Sequence, residues 1–466
     1  MTQLGDLLDD TRLDLLTSSI EISSVEIDSR DCREGSLFFA LPGEHVHGAR
    51  FAADAVARGA VAIVGSEAMD VGVPVVRVPA SQVRALMSYA SATITGHPES
   101  RMNIVGVTGT NGKTSVTTMV SALARALQWN GAALGTLTNE RTTPAAPELF
   151  RSLRRIEEDF DPALARTVVA LEVSSHALDQ GRVEGLRFAV AAFTNLSHDH
   201  LDYHGTMESY FLAKAKLFTP EHAQRAVIWC DDPYGQRLAE TTHLGVTPVR
   251  RVDADDVTTS LAGTTFFWRS HLVNTSLVGG YNVDNALMAM AVMSVLGGSD
   301  VDVARAMADV CGVRGRFEVI HERDIDVVID YAHTPDGLRR LLLDVRTLRP
   351  SARVITVFGC GGDRDRTKRS EMGAVASELS DVALVTSDNP RSEPPDNIID
   401  AIMSGVVSGA VVQRISDRRE AIGEALALAT RGDIVVIAGK GHETTQTIGD
   451  LVVDFDDAAV ARELLK

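Results

Sequence analysis

Short apolar runs recur along the chain, each followed by a polar or glycine-rich turn and a stretch with helical spacing. In the first hundred residues the runs are 36–41, 60–64 and 75–78, with helix-like segments at 52–58 and 81–95 between or after them. Residues 96–100, Gly-His-Pro-Glu-Ser, read as a linker because glycine and proline punctuate there. A second set begins with a strand at 103–107 and continues at 167–172 and 190–194. A third begins near Arg314, with strands at 327–330, 354–358, 382–386 and 434–438. Strands alternating with helical patterns predict parallel sheets. In such sheets ligands bind at the carboxyl ends of the strands, where this chain places loops rich in Gly, Asp, Arg and His. The prediction is an α/β protein of three domains, at 1–98, 99–313 and 314–466. The 466 residues agree with that number at about 150 residues per domain.

Composition narrows the function. The chain has 45 Lys and Arg against 63 Asp and Glu, a formal net charge of −18. That balance argues against coating nucleic acid or an anionic membrane, both of which need a positive field. No apolar run approaches the roughly 20 residues of a membrane span, and Met1 to Asp10 lack a basic-then-apolar signal pattern. Cys32, Cys230, Cys311 and Cys360 form no CxxC pair, so neither a zinc ribbon nor a disulfide framework is indicated. A cytoplasmic protein, expected to be a monomer and not inserted in a membrane, follows.

The sharpest local signal is Gly106-Val-Thr-Gly109-Thr110-Asn111-Gly112-Lys113-Thr114, between a strand and a predicted helix at 114–127. In that context a glycine-rich loop cradles phosphate with its backbone N–H groups. Lys113 supplies charge to the β- and γ-phosphates, and the Thr114 hydroxyl can reach Mg²⁺. The spacing is GxxGTNGKT, since Val107 stands where the strict pattern has glycine.

Other constellations fit around this loop. Glu172 ends an apolar strand, and His198, Asp199, His200, Asp202 and His204 crowd together after another. A zinc cluster is conceivable, but a hard Mg²⁺ with ATP takes oxygen ligands, waters and phosphates. Lys214 follows Tyr210 by four residues and precedes Leu217 and Phe218 by three and four, which puts it on an apolar helical stripe. Either it snorkels or its chemistry changes, because burying an unpaired ammonium is costly. Asn282 and Asn285 share a helix face, suited to adenine or ribose or else to capping. Arg316 follows a presumed hinge, from which it can swing onto a γ-phosphate. Asp330 and His333, at the next strand end, complete a nucleotide pocket.

Taken in order, these motifs resemble the Mur ligase superfamily, and within it the UDP-N-acetylmuramoyl-tripeptide synthetase family. The segments that carry the resemblance, besides the phosphate loop, are Asp28-Ser-Arg30, Thr142-Thr-Pro144, Leu171-Glu-Val-Ser-Ser-His176, Asn195-Leu-Ser-His-Asp-His-Leu-Asp-Tyr-His-Gly205, Asp330-Tyr-Ala-His-Thr-Pro335, Gly359-Cys-Gly-Gly-Asp-Arg364, Asp388-Asn-Pro-Arg391 and Gly439-Lys-Gly-His-Glu443. The resemblance implies three domains, with a central P-loop parallel-sheet domain and a Rossmann-like C-terminal domain. It implies ATP-dependent ligation of meso-diaminopimelate to UDP-N-acetylmuramoyl-L-alanyl-D-glutamate through an acyl-phosphate, in peptidoglycan precursor synthesis.

The resemblance also distributes roles. Gly109, Thr110, Asn111, Gly112, Lys113, Thr114, Asn282, Asn285, Arg316, Asp330 and His333 would bind ATP. Two Mg²⁺ ions would be held by Thr114, Glu172, His200 and Lys214, the last carrying CO₂ as a carbamate. Lys113, Lys214, His200 and Arg316 would be catalytic. His198 stands where the family more often has Arg or Gln and receives no role. Ser29, Arg30 and the loop 43–51 would contact the uridine diphosphate, and Thr142, Thr143, Ser174, Gln180 and Arg182 the sugar-peptide. The Asp388-Asn-Pro-Arg391 loop is associated with diaminopimelate rather than lysine. A guanidinium can pair bidentately with the distal carboxylate that lysine lacks. Arg364 and Arg391 would flank that carboxylate, with Asp388 in the same loop, while Asn389, Gly439 and Glu443 hold the amino and carboxyl groups. Three other readings compete. A folylpolyglutamate- or cyanophycin-type ligase lacks the combined third-region loops, a P-loop switch needs neither the His-rich loop nor Lys214, and a silent relative would not keep Lys113, Glu172, His200, Lys214 and Arg316.

Overall fold

The computed structural model describes residues 2–8, 15–43, 46–138, 141–322 and 324–466. Glu44 and His45 of the 43–51 loop, and Met1, Asp9 and Asp10 of the N-terminal stretch, lie outside the described residues.

The first sheet is parallel, in the order Ser24–Glu26, Ser36–Ala40, Ala60–Gly65, Val75–Arg77. Every residue of Ser36–Ala40 is buried, so this strand reads as an unbroken apolar run rather than an alternation. The helix Ala80–Thr95 stops at Gly96, whose φ of 78° closes the last turn. The linker expected there is an ordered 3₁₀ turn, Pro98–Arg101, with proline preset for the first turn position.

The second sheet has six parallel strands, in the order Gly245–Val249, Ala223–Trp229, Phe188–Phe193, Asn103–Thr108, Thr167–Glu172, Asn130–Leu134. The chain fills one side of Asn103–Thr108 and then crosses to the other, so the carboxyl end of that strand lies at the switch point where open α/β sheets bind ligands. The helix Lys113–Ala126 starts directly beyond it and packs against the helix Gly280–Val295, most of which is buried. Between these parts lies an antiparallel sheet that the apolar runs did not reveal, Ala254–Ser260, Gly263–Trp268 and His271–Thr275. Only alternate residues, Thr264, Phe266 and Trp268, face the core there, while Thr265 and Phe267 face solvent.

The third sheet runs Glu318–Glu322, Ile325–Asp330, Ile434–Ala438, Val354–Phe358, Val382–Val385, Val412–Arg414, antiparallel only at the first pairing. A short hairpin, Thr445–Ile448 with Leu451–Asp454, follows. At the carboxyl ends of the strands Arg418 makes two hydrogen bonds to Asp457, at 2.8 and 2.7 Å, and neither side chain is exposed. Arg418 also donates to the Ala438 and Ser387 carbonyls, at 3.0 and 3.3 Å. Arg418→Met would leave Asp457 buried and unpaired, so a loss of about 3–5 kcal/mol is expected in urea unfolding of the third domain. An unchanged midpoint would refute this. Among the described residues no helix is long and apolar enough to cross a membrane.

Candidate active site

The phosphate loop is held from both sides. Gly112 has φ +87°, a conformation that favours glycine, and a Cβ there would stand 2.5 Å from Asn285 Oδ1 and displace that side chain. Asn195 accepts from the Asn111 N–H at 3.0 Å, and Thr194 donates to the Asn111 carbonyl at 2.6 Å. The half-buried Lys113 ammonium folds back onto the Gly109 and Thr110 carbonyls at 3.0 and 2.9 Å. Burial lowers its pKa, opposed by the charges of Glu172 and Asp199.

Thr114 donates to Glu172 at 2.9 Å. The same carboxylate accepts from the Thr136 N–H at 2.9 Å and the Thr136 hydroxyl at 3.2 Å. Arg316 reaches across from the third region, its Nη2 3.4 Å from the Thr114 hydroxyl, with its guanidinium 4.2 Å above the Tyr331 ring. Arg316 Nε is buried without a hydrogen-bond partner among the described residues. Beside it Asp330 accepts from the Tyr281 hydroxyl at 2.6 Å and from the Phe317 and Ala332 N–H groups at 2.7 Å. Its carboxylate thus fixes the backbone that carries Arg316. Gly315, at φ +66°, lies so close to Gly441 and His442 that any side chain there would run into their backbone.

A cavity lies between these elements, lined by Asn111, Asn285, Trp229, Tyr281, Arg316 and Arg340 among others, where the Trp229 and Met288 side chains can receive a flat ring. Asn282 donates to the Val278 carbonyl at 2.8 Å, and the helix Gly280–Val295 has no side-chain cap, so Asn282 acts as a brace on the preceding backbone and not as a cap.

The histidine-rich loop packs next to Lys214. His200 sits at φ +55°, and desolvation lowers its imidazole pKa, which favours a neutral ring against the opposing charge of Asp199. Lys214 is 1% exposed. Its ammonium donates to the Gly109 carbonyl at 2.8 Å and lies 4.6 Å over the Tyr210 ring. Burial, and then the nearby Lys113 charge, lower its pKa far below that of an ordinary lysine. Among the described residues no three His, Cys, Asp or Glu groups are arranged to hold a metal by themselves. Thr114 and Glu172 offer the oxygen donors that suit a hard cation completing its shell with waters and phosphate, and a neutral His200 leaves a nitrogen lone pair. Lys214 as an ammonium does not fit such a set.

Asp199, which the sequence reading left without a role, is the hub of this region. His200, Lys368 and His333 stand 3.4, 3.6 and 3.8 Å from its carboxylate. Burial alone would raise its pKa, but those neighbours hold it well below the carboxylate range. Lys368 opens the helix Lys368–Leu379 in the third region, and nothing in its local sequence marks it. His198 joins the same contact, 3.3 Å from both Asp365 and the Thr367 hydroxyl.

Beyond Glu172, Thr142, Thr143, Ser174, Gln180 and Arg182 form one hydrogen-bonded cluster. Thr136 donates to Thr142 at 3.2 Å, and Arg182 to the Thr143 carbonyl at 3.0 Å and to Gln180 at 2.6 Å. Thr143 itself is fully buried, with its hydroxyl on the Glu172 carbonyl and Ser174. Ser29 and Arg30 lie apart in the first sheet region, Arg30 folded onto Asp28.

In the third region Arg364 and Arg391 flank Gly361. Arg391, at φ +50°, donates to the Gly362 carbonyl at 2.6 Å. Asn389 donates to Glu443 at 2.8 Å, and a Cβ on Gly439 would stand 3.2 Å from Asp388. The arrangement can bind phosphates on one side of the cleft and a zwitterionic ligand on the other, with Arg316 and Tyr331 between.

Three family descriptions match consecutive parts of the chain: Mur ligase family, catalytic domain, over 21–103; Mur ligase middle domain over 107–293; and Mur ligase, glutamate ligase domain, over 315–441. A UDP-N-acetylmuramoyl-L-alanyl-D-glutamate--2,6-diaminopimelate ligase of Geobacillus kaustophilus is 43% identical, covering 96% of this chain and 95% of that protein. The ligase of the same name from Gloeobacter violaceus is 42% identical, covering 99% and 98%. A solved structure of a UDP-N-acetylmuramoyl-L-alanyl-D-glutamate--2,6-diaminopimelate ligase superposes with a TM-score of 0.69 at 32% identity, covering 100% of this chain and 99% of that one.

Proposed function

The chain belongs to the Mur ligase family, and from that premise we propose that it joins meso-diaminopimelate to UDP-N-acetylmuramoyl-L-alanyl-D-glutamate at the expense of ATP. The observation that carries this reading is Arg316, a residue of the third region placed 3.4 Å from the Thr114 hydroxyl of the phosphate loop. A charge delivered there from another domain suits a phosphoryl group whose transfer requires both domains to close.

The division of labour follows the three segments. Residues 1–98, with Ser29 and Arg30, would bind the uridine diphosphate; 99–313 would bind ATP; and 314–466 would bind the amino acid. The dipeptide carboxylate attacks the γ-phosphorus, the bond to ADP breaks, and an acyl-phosphate forms. The amine of diaminopimelate then attacks the acyl carbon, phosphate leaves with the C–O bond, and the amine loses its proton. Lys113 and Arg316 stabilise the charge on the transferring phosphoryl group, and Asn111, Asn285 and Tyr281 wall the nucleotide. Thr114, Glu172 and His200 would hold Mg²⁺, with Lys214 as a carbamate holding a second ion; bound there, magnesium neutralises phosphate charge. Closure of the cleft excludes water and so protects the acyl-phosphate.

The test is phosphate release with ATP, Mg²⁺ and the UDP-dipeptide, with meso-diaminopimelate or L-lysine in parallel. Release that needs the dipeptide and prefers diaminopimelate is expected, and release without any acceptor carboxylate would favour a nucleotide switch instead. Arg391→Ala should raise the KM for diaminopimelate about ten- to hundredfold, because a bidentate charged pair is lost, and should leave use of lysine nearly unchanged. An equal loss with both amines would defeat the specificity argument.

A further inference from the structure

We infer that Lys440 is a positioning residue that presets the amino-acid pocket, its ammonium locking Asn389, Glu443 and the hairpin behind Arg391 into one arrangement before the ligand arrives. The inference rests on the reading of this region as the amino-acid site, and it concerns a side chain whose ligand-facing neighbours are the groups assigned to that site.

Lys440 is 0% exposed, so it is neither a solvated loop lysine nor a group able to reach bulk water. A buried ammonium needs its three donors satisfied, and the ones it finds are informative. It donates to Glu443 Oε2 at 3.0 Å, to the Thr445 carbonyl at 2.7 Å and to Asn389 Oδ1 at 3.4 Å. Asp388 Oδ1 stands at 3.8 Å, close enough for charge attraction but without a hydrogen-bond partner among the described residues. The ammonium therefore balances two carboxylates while leaving one buried oxygen of Asp388 unfilled.

Three consequences follow for the pocket. Asn389 is oriented by its neighbours: Oδ1 faces the Lys440 ammonium and the Thr447 N–H at 3.0 Å, and Nδ2 faces Glu443. Without Lys440 the amide loses one of the charges that tells its two ends apart. Glu443 is kept ionised, since burial would raise its pKa but the Lys440 charge and hydrogen bond outweigh burial and leave it below the ordinary value. Finally, the bond to Thr445 pins the start of the strand Thr445–Ile448. Arg391 donates its own N–H to Thr447 at 3.1 Å on that strand, and Gly449 returns a bond to the Arg391 carbonyl at 2.7 Å. One ammonium thus fixes both the polar groups at one end of the ligand and the backbone that aims the arginine at the other. A site held this way loses less entropy on binding.

The experiment uses the full-length enzyme and compares wild type with Lys440→Met and Lys440→Arg, measuring KM and kcat for meso-diaminopimelate, ATP and the UDP-dipeptide separately. Lys440→Met should raise the KM for diaminopimelate about ten- to hundredfold, the result of leaving buried partners unsatisfied, with the KM values for ATP and the dipeptide changing far less. Lys440→Arg keeps the charge on a wider, planar group and should fold even if the methionine variant does not; its diaminopimelate KM should rise by less. A diaminopimelate KM equal to wild type in a folded variant overturns the inference, as does a parallel rise for ATP, which would mark general damage. Failure of the wild type to use diaminopimelate at all would instead overturn the assignment of the site.

Discussion

Lys113→Met is expected to reduce ligation by about a thousandfold or more, the scale on which a preorganised charge at the transferring group is worth most. Among the described residues the side chain makes no ion pair with a carboxylate. It rests on the Gly109 and Thr110 carbonyls, poised at the mouth of the loop rather than consumed by it. Methionine matches its length and helix propensity, so the helix Lys113–Ala126 should still start at Gly112 and the melting temperature should hold. The effect should appear in kcat for phosphate release in a single turnover. Activity within tenfold of wild type would mean that Arg316 alone carries the phosphoryl charge.

Lys214→Ala carries the second large expectation, and its signature is a divergence between activity and stability. The wild-type ammonium is buried against a carbonyl and an aromatic face with another lysine nearby. Removing it should cost little stability, because the desolvation cost of burying the amine goes with it. Activity should nonetheless fall about a hundredfold or more, as for other losses of a metal-holding group. The lowered pKa favours the neutral amine, the form that adds CO₂, so activity should be lost on the acid side as protonation competes. Carbon-13-labelled bicarbonate should give a carbamate signal in the wild type alone, and short carboxylic acids should partly restore the variant. A fully active alanine variant would return Lys214 to a structural part.

What could be read in the sequence followed from how many faces each segment buries. Strands buried on both sides, such as Ile434–Ala438, announce themselves as apolar runs, and the phosphate loop does so because backbone approach demands glycine at fixed places. The sheet at Ala254–Thr275 stayed hidden because its longest apolar run, Phe266-Phe267-Trp268, spans only three residues, and the strands around it are polar and largely exposed. The resemblance named motif positions without distinguishing groups that face a ligand from groups that support one. Thr143 and Asn282 turned out to spend their side chains on backbone carbonyls. Asp199 and Lys368 meet from opposite sides of the cleft, and only the fold brings so distant a pair together.

The closeness of Gly315 to Gly441 and His442 has a thermodynamic meaning. A displacement of the residue before Arg316 toward the loop before Glu443 has to be taken up by that loop, so the conformations of these two backbones are not independent. Any preference the amino acid has among those conformations is a preference the nucleotide must feel. Linkage requires the reverse effect to be equal in size. Contact at these two glycines is thus a physical route by which occupancy of the amino-acid site can bear on the phosphoryl site.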